Sequence, residues 1–171
     1  MSHAFWITSR AAGVVALLAS SGAVTAGLLM SGRFVRRSID LRATHEALAL
    51  ATLIALAVHA FVLLGDGFLS PNLADITIPF ASDFQRWWMA AGITAGWMMA
   101  ILGLSYYARA RIGVKRWRTL HRFTALAWLL GVVHSLGQGT DAGTPWLLVS
   151  LAAVALPALG LLTMRLTPRT A

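Results

Sequence analysis

Five apolar runs separated by short polar segments set the pattern of the chain: about 8–30, 43–64, 87–108, 119–137 and 145–164. Each approaches the ~20 residues that a helix needs to cross a hydrocarbon core. Backbone groups in lipid have no water to bond, so such runs must be helical. The pattern predicts an all-α fold, a polytopic membrane bundle of five transmembrane helices forming a single domain over 1–171.

Composition strengthens this reading. Of 171 residues, 58% are hydrophobic and only 12% charged, and the mean hydropathy is +0.72. An average soluble domain carries about 25% charged residues. Cysteine is absent, which excludes disulfides, iron–sulfur clusters and thiolate ligation of iron.

The net charge of +8 raises nucleic acid as a partner, but its placement argues against that. Arg33, Arg36, Arg37 and Arg42 follow the first run, Arg109, Arg111, Lys115, Arg116 and Arg118 follow the third, and Arg165 and Arg169 follow the fifth. The segments after the second and fourth runs hold Asp66, Asp75, Asp83 and Asp141, with Arg86 as their one cation. Basic loops stay on the cytoplasmic side, so the N-terminus is expected outside and the C-terminus inside the cytoplasmic (plasma) membrane. A cleaved signal peptide ending near Val24-Thr25-Ala26 is the alternative. It is disfavoured because the apolar run continues to Met30 and cleavage would send three arginines outward.

The long connection 66–86 is broken by Gly67, Pro71 and Pro79. Its mixture of Phe, Ile and Asp suits either a segment lying on the outer membrane surface or a plain connector. Trp87, Trp88 and Trp146 sit at run ends, as interfacial anchors do.

Four histidines lie within the apolar runs. His45 and His59 are 14 residues apart in the second, and His121 and His134 are 13 apart in the fourth. An ionisable group at membrane depth is expensive and marks function. At ~1.5 Å per residue each pair spans about 20 Å. The second and fourth runs point the same way, so depths match as His45 with His121 and His59 with His134. Matched imidazoles on two helices can ligate iron from opposite sides, giving two stacked haems. A zinc centre fits poorly, because zinc gathers its ligands at one point. Fourteen residues return to within about 40° of the starting face, whereas thirteen leave the second side chain about 140° away. The fourth run therefore needs a local irregularity, for which Gly131 is the candidate. Packing against neighbouring helices is the alternative role for these histidines.

The chain resembles the ferric reductase-like transmembrane family, whose relatives include NADPH oxidases, ferric reductases and the haem subunit of methionine sulfoxide reductase systems. The residues that carry the resemblance are TSRAAG at 8–13, HEALALATLIALAVH from His45 to His59, and RWRTLHRFTALAWLLGVVHSLGQGTD from Arg116 to Asp141. It implies two b-type haems ligated by His45/His121 and His59/His134. It also implies electron flow from the cytoplasmic side or the quinol pool to an extracytoplasmic acceptor. Arg10 matches a family arginine near the outer haem and needs an anion; a propionate partner and simple interfacial capping are both open to it. For Arg116, Arg118 and Arg122, inner-haem propionates and a role as topology signals are both open. The chain departs from relatives that continue into a flavin and nicotinamide domain. It has no GxGxxG and ends shortly after Arg165, so a separate reductase or quinol is the expected donor. A flavoprotein, ferric chelate, dioxygen or outside reductase subunit is the expected acceptor.

Smaller features leave alternatives open. Gly92 and Gly96 form a GxxxG that seats either a helix neighbour or a haem edge. Met98 and Met99 read as packing. Trp128 either packs in the core or sits between the haems. Pro157 is expected to kink the last helix. The competing functions are a non-catalytic anchor or assembly subunit of a redox complex and a small transporter with histidine proton relays. The transporter reading calls for buried acids beside the histidines, and only Glu46 lies clearly within a run.

Overall fold

The computed structural model describes residues 2–32, 39–139 and 141–167. Arg33, Arg36, Arg37 and Arg169, used above to orient the chain, lie outside them. Every regular element among the described residues is helical: α1 (Ser2–Ser31), α2 (Ile39–Val62) with a 3₁₀ turn over Leu63–Gly65, α3 (Leu73–Thr77), α4 (Arg86–Leu104), α5 (Arg109–Ile112), α6 (Val114–His121), α7 (Thr124–Gln138) and α8 (Pro145–Leu166). Four helices are long and apolar enough to cross a membrane: α1, α2 with its 3₁₀ turn, α4 and α8. The chain is accordingly a multi-pass membrane protein. The fourth apolar run differs from expectation, because it is divided between α6 and the 15-residue α7.

The division accounts for part of the spacing problem. Between the two helices, Phe123 N–H bonds to Leu120 O and Ala125 N–H to Arg122 O, both three residues back. The Thr124 hydroxyl donates to His121 O at 2.7 Å. Three-residue bonds overwind the chain to ~120° per residue, against ~100° in an α-helix. The extra rotation carries His134 back toward the face of His121. The irregularity is thus at Arg122–Phe123. The expectation for Gly131 is corrected: it lies inside unbroken α7, with open space where a side chain would stand.

Packing runs around a ring in the order α1, α2, α4, α7 and back to α1, while α8 docks on the outside of α1. No comparable contact crosses either diagonal of the ring, so α2 and α7 face each other across its centre. Trp128 of α7, which is 1% exposed, packs with Leu17 of α1, Leu151 and Ala155 of α8 and Met99 of α4. Its indole N–H donates to Ser21 Oγ at 2.9 Å, and Ser21 itself is fully buried. A Trp in a dry core needs such a partner. Trp128 and Met99 therefore serve packing. α8 begins at Pro145, whose absent N–H costs nothing at a first helical position, and continues through Pro157 without interruption.

The connector 66–86 is more structured than a plain loop. Asn72 and Asp75 form a reciprocal capping box that starts α3. Ile76 is buried, and the Trp97 indole N–H donates to Thr77 O at 2.7 Å, tying the connector to α4. Asp66 is buried and accepts from Leu69 N–H at 3.1 Å. Two of the connector's three acids are thus committed to local structure.

Replacing Trp128 with Ala removes the buried indole and orphans the Ser21 hydroxyl. The expected loss is about 3–5 kcal/mol, read as a large drop in the thermal midpoint in detergent. A midpoint within error of wild type would show that the bundle is held elsewhere.

Candidate functional site

The sequence places one histidine near each end of α2 and one near each end of the α6–α7 segment, and the ring packing turns them inward. His45 faces His121 with ring centres 6.2 Å apart and planes at 84°. His59 faces His134 with ring centres 6.4 Å apart and planes at 74°. The depth pairing expected from the sequence is the pairing found. Each pair stands alone: among the described residues no group of three or more His, Asp or Glu could hold a metal ion.

The flanking helices fix three of the four rings by one device. His59 Nδ1 bonds to Ser9 O, His45 Nδ1 to Ala23 O, and His134 Nδ1 to Trp88 O, each at 2.8 Å. His121 Nδ1 is buried without a hydrogen bond of normal geometry and faces Leu102 O. The α1 acceptors, Ser9 and Ala23, are 14 residues apart, and so are Trp88 and Leu102 on α4. Four residues after three of these acceptors stands a glycine: Gly13, Gly27 and Gly92.

Those glycines are where the rings lie. A methyl group at Gly13 would stand 3.0 Å from His59 Nδ1, at Gly27 3.3 Å from His45 Cε1, and at Gly92 2.5 Å from His134 Nδ1. A helical carbonyl already accepts from the amide four residues on, and only its second lone pair is free. Without a Cβ at that amide's residue, an imidazole can reach the free lone pair. The fourth position is Tyr106, and it needs no glycine because α4 has ended at Leu104. There His121 is held by Trp117, whose ring stacks on it at 4.9 Å and 26°.

A neutral imidazole that donates through Nδ1 presents Nε2 as a bare acceptor. Among the described residues no hydrogen bond involves any of the four Nε2 atoms. The arrangement therefore offers two sites, each with two imidazoles whose Nε2 is uncommitted among the described residues.

The ends of the bundle differ. At the His59/His134 end, Arg10 meets Asp141 through Nε and Nη2, a bidentate ion pair in which Asp141 is buried. The guanidinium also lies 5.0 Å over the Trp6 ring. The anion that Arg10 called for is supplied by the chain itself. At the His45/His121 end, Arg42 donates to the Tyr106 hydroxyl at 2.9 Å and Arg109 covers the Tyr106 ring at 3.9 Å. Arg116, Arg118 and Arg122 are exposed, and Arg118 has no partner among the described residues. Trp88 does more than anchor the interface, since its carbonyl holds His134 and its ring fills the space beside Gly137.

Sequence reasoning missed Ser9, Gly13, Gly27, Trp88 and Trp117. A signal was present for two of them: Gly13 and Gly27 share the 14-residue interval of His45 and His59. Gly96 is not part of the device, having nothing within 4 Å of a side chain built on it. Comparison with protein-family models, curated proteins and solved structures found no match.

The two glycines of the GxxxG are expected to respond oppositely. Gly92→Ala displaces His134 and costs about 1–3 kcal/mol, as overpacking does. Gly96→Ala is neutral or stabilising by up to ~1 kcal/mol, the helix-propensity gain. Thermal midpoints of the two variants in detergent check the contrast; equal responses would remove the steric role given to Gly92.

Proposed function

We propose that this chain is a transmembrane cytochrome b of the ferric reductase-like kind, with two b-type haems held by His45/His121 and His59/His134. It passes single electrons from the cytoplasmic side or the quinol pool to an acceptor on the opposite face of the cytoplasmic membrane. The observation that carries this reading is the pairing, across the α2–α7 diagonal, of imidazoles whose Nε2 atoms are unused among the described residues. Two metal–nitrogen bonds of ~2 Å on opposite sides of one ion, plus half a ring on each side, put imidazole centres about 6 Å apart. The observed separations are 6.2 and 6.4 Å. A free ion with two imidazoles in lipid would be left under-coordinated. A haem brings its own four in-plane nitrogens, so the donor set fits it.

When bound, haem supplies one-electron chemistry between ferric and ferrous iron. The chain's residues do the rest. Backbone carbonyls of α1 and α4 fix three imidazoles in the tautomer that leaves Nε2 free. With two imidazoles at each site, His45/His121 and His59/His134 would hold the group without leaving an open position, which would suit electron transfer better than chemistry at iron. The Trp128 cluster holds α7 against α1 and α8 between the heights of the two sites. Arg118, exposed and without a partner, is assigned to an inner propionate. Arg10 spends one edge of its guanidinium on Asp141.

Five crossings with the N-terminus outside complete the proposal. The α6–α7 segment makes the fourth, and the basic residues of 109–118 stay with the cytoplasm. Electrons arrive from a separate reductase or a quinol and leave to an external acceptor such as a flavoprotein. An anchoring subunit whose histidines only pack is the other reading. It is less well supported, because purely structural imidazoles at this depth would have partners on both nitrogens.

The dithionite-reduced minus oxidised absorption spectrum of the detergent-purified protein, with haem quantified, tests the proposal. Two b-type haems per chain are expected, and His59→Ala should remove one while leaving the other. A protein that stays colourless when produced with added haem would overturn it.

A further inference from the structure

The two histidines of α2 sit in cradles that are copies of each other with one atom's difference. His59 gives its Nδ1 proton to the carbonyl of Ser9 and packs over Gly13. His45 gives its Nδ1 proton to the carbonyl of Ala23 and packs over Gly27. Both members of the second cradle lie 14 residues after those of the first, and both carbonyl bonds are 2.8 Å. The difference is the Ser9 hydroxyl. Ser9 Oγ donates to His59 O at 2.8 Å and lies 3.1 Å from His59 Nδ1. Ser9 is only 2% exposed, so no water competes for these bonds.

The hydroxyl proton is committed to His59 O, so the lone pairs of Oγ face the Nδ1–H as a second acceptor. Donation of that proton into two acceptors makes the imidazole a stronger electron donor at Nε2. A stronger axial donor favours the more highly charged iron and lowers the reduction potential. Ala23 gives His45 one acceptor only, and His121 has no partner of normal geometry on Nδ1. Hydrogen bonding to the ligands is thus concentrated at the Ser9 end of the bundle.

We infer that Ser9 is a positioning residue that sets the potential of the His59/His134 centre apart from that of the His45/His121 centre. The inference rests on the haem reading above. Ser9 touches neither the iron nor any electron partner; it acts through His59.

The substitution Ser9→Ala turns the first cradle into a copy of the second, and Ala23→Ser does the reverse. Potentiometric titration of the full-length, haem-loaded protein, followed by absorption, reads both couples; the couple missing in His59→Ala identifies the first centre. Ser9→Ala is expected to raise that couple alone, by a three- to tenfold change in the oxidised-to-reduced ratio. That is about 30–60 mV at 59 mV per decade. Ala23→Ser is expected to lower the other couple. Unmoved couples in Ser9→Ala, or both moving together, overturn the inference. If Ser9→Ala fails to retain haem, Ala23→Ser decides alone, and an unmoved second couple overturns it. A wild-type protein that takes up no haem overturns the proposed function as well, so the two failures are distinguishable.

Discussion

A buried imidazole in lipid has a proton to place, and nearly everything in this bundle follows from where that proton goes. Apart from the Ser9 hydroxyl beside His59, the acceptors that meet these rings are carbonyls already bonded within their own helix. Those carbonyls keep a second lone pair. Reaching it requires the ring to lie flat against the flanking helix, and a Cβ in the way would push it off. Glycine four residues past the acceptor removes that obstacle at Gly13, Gly27 and Gly92. The same approach clamps α1 to α2 and α4 to α7 and leaves each Nε2 without a hydrogen bond among the described residues. Tautomer, helix pairing and the open diagonal between α2 and α7 are then one arrangement.

The two ends of the bundle solve the remaining problems differently. At the His59/His134 end, charge is neutralised within the chain by the Arg10–Asp141 pair, and the connector is folded back on α4 by α3. At the His45/His121 end, α4 has run out, so ring stacking by Trp117 replaces the carbonyl–glycine device. There the cations Arg42 and Arg109 converge on Tyr106 and Arg118 remains unpartnered. The His59/His134 end is thus self-neutralised, whereas the His45/His121 end is rich in cations.

Much of this was legible along the chain. The apolar runs read the helices of α1, α2, α4 and α8 to within a few residues, because a hydrocarbon core leaves the backbone one choice. The depth matching of His45 with His121 and His59 with His134 also needed only the rise of a helix. The fourth run resisted. Its 13-residue interval signalled an irregularity, but the overwound turn at Arg122–Phe123 has no Gly or Pro to announce it. Arg10 was recognised as needing an anion, yet Asp141 lies 131 residues away, and nothing local pairs them.

By itself, the sequence determined an all-helical membrane chain, with four imidazoles at two matched depths. Length, hydropathy and residue rise are additive along a chain, so order alone carries them. The tertiary structure alone decided which carbonyls receive the Nδ1 protons, which glycines admit the rings, and that one hydroxyl at Ser9 separates two otherwise equivalent cradles. Those are contacts between helices distant in sequence, and their geometry exists only once the ring of four helices has closed.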